Sequence, residues 1–75
     1  MDILAEPIEQ EVTADGVTPA GALFISVKNT GSTPAQFNGV TLGAGEAKSY
    51  GFIGRGYKAL AYQVNSSSLR IMYVI

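Results

Sequence analysis

Hydrophobic and polar residues alternate along most of the chain with a period of two, the spacing of a strand whose successive side chains face opposite sides of a sheet. Over residues 22–28, Leu23, Ile25 and Val27 fall on one side and Phe24, Ser26 and Lys28 on the other. Asn29-Thr30-Gly31-Ser32-Thr33-Pro34 then reads as a turn, because Asn and Gly tolerate positive φ and Pro withdraws a ladder donor. Ala35-Gln36-Phe37 and Val40-Thr41-Leu42 flank Asn38-Gly39, the pair best suited to a two-residue type I′ hairpin. After a bend at Gly43-Ala44-Gly45, residues 46–52 alternate Ala47, Ser49 and Gly51 with Lys48, Tyr50 and Phe52, which leaves one face of that strand nearly bare. Gly54-Arg55-Gly56 makes another turn before a strand over 57–64, with Leu60, Tyr62 and Val64 on one face. A polar turn at Asn65-Ser66-Ser67-Ser68 leads to the last strand, where Leu69, Ile71, Tyr73 and Ile75 alternate with Arg70, Met72 and Val74. That strand is apolar on both faces near its end, so it needs cover on both sides.

Residues 1–21 are less regular. Ile8, Gln10 and Val12 can alternate as a strand, while Pro7 also suits the first turn of a short helix; an extended course is favoured. Short strands at roughly 10-residue spacing, with a turn signal at each break, predict an all-β, small antiparallel sandwich, jelly-roll or immunoglobulin-like. Five to seven strands are expected, in a body over 22–75 preceded by an extended N-terminal arm over 1–21. Nine Gly and three Pro interrupt any helix of ordinary length.

Charge divides the chain at the same place. Asp2, Glu6, Glu9, Glu11 and Asp15 put five acids and no base in residues 1–15, whereas Lys28, Lys48, Arg55, Lys58 and Arg70 face only Glu46 beyond them. The arm reads either as a solvated tail or as a tether for the basic face of a neighbour, with Ile3, Leu4 and Ile8 as its apolar contacts. Charged residues make up only 15% of the chain, against about 25% in ordinary soluble domains, so something besides charge covers this surface. A chain of 75 residues has room for one domain and a small core, and domains of this size commonly need disulfides, metals or oligomerisation. With no Cys and no His, the usual nucleophilic, general-base and zinc constellations cannot be assembled. A non-enzymatic protein without cofactor or metal, assembling with itself, is the expectation. Tyr50, Phe52, Tyr62, Met72 and Tyr73 are its candidate interface or core residues.

Gly51, Gly54 and Gly56 give G-x-x-G-x-G, the reverse order of the dinucleotide fingerprint and without the helix that would receive a pyrophosphate; they read as turn glycines. Lys48, Tyr50, Phe52, Arg55, Tyr57 and Lys58 interleave basic and aromatic side chains, as in sheets that stack single-stranded bases or sugar rings. The body's surplus of only four positive charges and the competing acidic segment argue against nucleic acid as the partner. No run of 18 apolar residues occurs, so no membrane partner is expected, and the Met1-Asp2-Ile3 start, without a basic n-region or apolar h-region, predicts a cytoplasmic chain.

Phe24-Ile25-Ser26-Val27-Lys28-Asn29-Thr30-Gly31-Ser32, then Phe37-Asn38-Gly39-Val40-Thr41-Leu42 and Gly45-Glu46-Ala47-Lys48-Ser49-Tyr50, resemble small β-sandwich virion proteins of bacteriophages, of the capsid-decoration and head-fibre-base type. The match extends through Ala59-Leu60-Ala61-Tyr62 and Leu69-Arg70-Ile71-Met72-Tyr73 but not over the acidic segment. The resemblance implies a structural role and a virion location after assembly in a host cytoplasm. It also implies a homotrimer that contacts other virion proteins; no site residue carries over from it. A small carbohydrate- or nucleic-acid-binding module, and a phage-encoded inhibitor of a host protein, are the alternatives.

Overall fold

The computed structural model describes residues 4–75. Eight strands follow one another: β1 (Pro7–Val12), β2 (Gly16–Val17), β3 (Phe24–Asn29), β4 (Ala35–Phe37), β5 (Val40–Leu42), β6 (Ala47–Tyr50), β7 (Ala61–Gln63) and β8 (Leu69–Val74). They form two antiparallel sheets, β1-β8-β3-β6 and β2-β7-β4-β5. Short connections carry the chain from one sheet to the other after β1, β3, β5 and β7. This strand order, with every sequential pair except β4–β5 split between the sheets, is that of an eight-stranded jelly roll.

Alternation decides what lies between the sheets. Ile25 and Val27 on β3 and Leu69 and Ile71 on β8 are fully buried, and they meet Ala35 and Phe37 on β4, Leu42 on β5 and Tyr62 on β7. Ala22, ahead of β3, and Leu60 and Val64, flanking β7, complete this core. The Asn38-Gly39 hairpin has the positive φ values expected of a type I′ turn, 52° and 77°.

One buried amide ties three connections together. Asn29 donates through Nδ2 to the carbonyls of Thr33 and Leu42, each at 2.9 Å, and accepts through Oδ1 from the Gly31 N–H at 3.0 Å and the Ser67 hydroxyl at 2.7 Å. All its donors and lone pairs are thereby used, which is what makes its complete burial tolerable. Beside it, Gly45 at φ 80° and Glu46 both oppose Asn29: the Gly45 N–H donates to the Asn29 carbonyl and the Asn29 N–H to the Glu46 carbonyl, each at 2.9 Å. This is a glycine bulge that starts β6.

The strands differ in three ways from the sequence expectation. There are eight rather than five to seven, because residues 7–17 supply β1 and β2 instead of standing apart as an arm. β1 pairs along its whole length with β8, from Pro7 opposite Val74 to Val12 opposite Leu69, and so supplies edge cover for the apolar last strand. The run 57–64 shrinks to Ala61–Gln63, since Tyr57 makes only an isolated bridge to Ala22 and the chain between serves as a loop. The run 46–52 likewise narrows to Ala47–Tyr50.

Candidate interaction surface

The first sheet has an open outer face made of the residues that alternate with the core. Register lays them out in rows: Pro7, Val74 and Phe24; then Glu9, Met72, Ser26 and Ser49; then Glu11, Arg70, Lys28 and Ala47. The face therefore grades from apolar at one end to charged at the other. Between them lies a shallow concavity of about 360 Å³, floored by Met72, Ser26 and Ala47 and bordered by Pro7, Glu9, Lys28 and Arg70. Arg70 approaches Glu9 at 3.9 Å, the only ion pair among the described residues. Lys28 sits directly opposite Arg70, a like-charge neighbour.

Large apolar side chains stand in water at the end of the molecule beyond the apolar row. Ile75 follows β8 and is hydrogen-bonded with Glu6 through both backbone groups; it is 50% exposed. Leu4, just before, is 83% exposed, and Phe52 and Ile53, in the chain leaving β6, are 65% and 67% exposed. Isolated exposed apolar residues are ordinary on a protein surface; these four lie beyond strand ends at the same end of the first sheet.

The interleaved basic and aromatic stretch does not form a stacking platform. Tyr50 and Tyr57 turn inward, with Tyr57 edge-on to Tyr50 at 6.0 Å between ring centres and Tyr50 tilted on Phe37 at 5.9 Å. The Tyr57 hydroxyl donates to the Gly51 carbonyl, while the Tyr50 hydroxyl is buried without a partner. Lys48 covers the Tyr50 ring, its Nζ 5.4 Å from the centre. Arg55 and Lys58 remain exposed on the loop.

The candidate interface residues are dispersed. Tyr62 is buried and stacks on Phe37 at 6.2 Å, Tyr50 and Tyr73 pack half-buried against the core, Phe52 is exposed, and Met72 floors the outer face. Of the proposed arm contacts, Ile8 is half-buried in β1, Leu4 is exposed and Ile3 lies outside the described residues. Glu9, Ser26, Lys28 and Arg70, which shape the outer face, were not singled out by sequence reasoning. Ser26, Lys28 and Arg70 alternate with Ile25, Val27, Leu69 and Ile71, and Glu9 with Ile8, which marks them as non-core, but nothing local in the chain says that β8 lies between β1 and β3. Among the described residues no group of three or more acidic side chains could hold a metal ion, and no helix is long and apolar enough to cross a membrane. No family model matches the chain, and neither a curated protein nor a solved structure matches it.

Proposed function

We propose that the protein is a non-enzymatic structural component of a bacteriophage virion, assembling as a trimer on the particle surface as decoration or as part of a fibre. The observation that carries this reading is the jelly-roll sandwich with one sheet face, both edges of that sheet and an apolar end left open. Capsid proteins are among the hosts of this architecture, an argument by analogy of fold, and the resemblance over 22–75 points the same way. The low charge supports it physically, since a surface poor in charge gains more from being covered than a charged one.

The test is the solution mass, measured by light scattering during size exclusion and followed by dilution into the low micromolar range. The expected mass is about 24 kDa, three times the chain's 7.9 kDa, held through dilution. A monomer that stays folded throughout would sink the assembly reading. Binding of purified phage particles by the isolated protein would then separate a virion component from an oligomer of another use.

Lectins share the jelly roll, and the concavity on the outer face, with Ser26, Glu9, Lys28 and Arg70 as polar groups, favours a carbohydrate-binding module as the second reading. A glycan array read against Arg70→Ala checks it. Binding lost with the side chain supports that reading, and an array without signal removes it.

A further inference from the structure

Two strands of the first sheet have an unpaired side. Antiparallel ladders alternate between residues whose backbone groups bond the neighbour and residues whose groups point away. On β1 the reciprocal pair between Glu6 and Ile75 sets the phase, so the peptide groups of Glu9 and Glu11 point outward, away from β8. On β6 the bond from the Asn29 N–H to the Glu46 carbonyl sets it, so those of Ala47 and Ser49 point outward, away from β3. The groups that would pair stay free on both edges: the one proline of β1, Pro7, is its first residue and leaves the Glu9 and Glu11 N–H groups available, and the side chains next to the β6 edge on the outer face are small.

Resting on the assembly reading above, we infer that copies of the chain join edge to edge through this sheet, β6 of one copy receiving β1 of the next. The register sets Ser49 opposite Glu9 and Ala47 opposite Glu11 of the next copy. Strand directions allow it without rearrangement, because β1, β8, β3 and β6 alternate, so a copy set alongside in the same orientation presents an antiparallel β1. In this register both outward peptide groups of each strand are satisfied, and outer faces stay outer on both copies.

Charge selects this pairing over the symmetric ones. Two β1 strands pairing through their outward groups would set Glu9 against Glu11 twice, and two β6 strands pairing through theirs would set Lys48 against Lys48. The mixed pairing instead brings the acidic strand to the basic side of the sheet. Lys28 lies two strands from the incoming Glu11, about 10 Å, with only the Ala47 methyl between. Extended Glu and Lys side chains meet across that gap, giving Lys28 the carboxylate that no described residue provides. On the other face Ile8 of the next copy is set against Tyr50.

The experiment compares solution mass and dissociation on dilution for the wild type, Ser49→Pro, Lys28→Glu and the double exchange Lys28→Glu with Glu11→Lys, with circular dichroism for each. Proline at 49 removes an outward donor that the single copy does not use, so the expected result is a folded monomer. Lys28→Glu should weaken association about fivefold and the double exchange should restore it. Ser49→Pro that folds and keeps the wild-type oligomer overturns the edge contact while leaving the assembly reading in place. A monomeric wild type overturns both. If Ser49→Pro fails to fold, the charge exchange decides: equal association for wild type and Lys28→Glu overturns the contact.

Discussion

Asn29 is a side chain whose replacement separates shape from hydrogen bonding. Asn29→Leu keeps much of the volume but strands the Thr33 and Leu42 carbonyls and the Ser67 hydroxyl, and it should cost about 3 kcal/mol in denaturant unfolding. Asn29→Asp keeps the shape and exchanges a donor for an acceptor facing two carbonyls. Burial and those carbonyls raise the folded-state pKa of the new carboxyl above its unfolded value of about 3.9. The neutral carboxyl can donate to only one of the two carbonyls, so a constant loss relative to wild type remains below that value; a further loss grows as pH rises through it and levels off above the folded-state pKa. A loss that stays constant from pH 3 to 8 would contradict this account of the site. Nearby, a Cβ on Gly31 would lie 2.0 Å from the Ser67 oxygen and 2.8 Å from the Ser68 backbone nitrogen. Gly31→Ala therefore has to push two connections apart, and a loss of about 2 kcal/mol or more is expected from the same unfolding curves.

Strand β1 tests the backbone alternation directly. Gln10 pairs with Ile71 in the bonded phase, so Gln10→Pro removes a rung and should cost about 2 kcal/mol, whereas Glu9→Pro loses an outward donor and a long, exposed ion pair with Arg70 and should cost less than half of that. Thermal melts at a concentration where both are monomeric make the comparison. The strands legible in the sequence were those with local signals: β3 and β8 by alternation, β4 and β5 by the Asn-Gly turn between them. β2 was not, because two residues give no period, and 57–64 was over-read because Leu60 and Val64 are buried beside a strand rather than within one. The acidic run over 7–12 reads equally as a solvated tail or a tether because Glu9 and Glu11 occupy the outer face of a strand whose inward residues are only Ile8, Gln10 and Val12. Every ladder except the β4–β5 hairpin joins strands far apart in the chain, so the rows of the outer face belong to topology and not to any window of sequence.

For the whole molecule, a single small core without disulfides is of the kind that association commonly stabilises. If the trimer is the stable form, its midpoint of thermal unfolding should rise by about 4 °C or more for each tenfold increase in protein concentration. A midpoint independent of concentration would count against association as the stabilising device. The paired ends carry a different consequence. Because Glu6 is bonded to Ile75, a load applied through Leu4 and Ile75 falls on that rung alone, then on the next, and peels β1 from β8 one rung at a time. A load applied through Thr13 and Ile75 pulls along the same ladder from opposite ends and strains its rungs together. Tethered at the first pair of points, the molecule should yield at low force; tethered at the second, it should resist, so its strength under tension depends on where it is held.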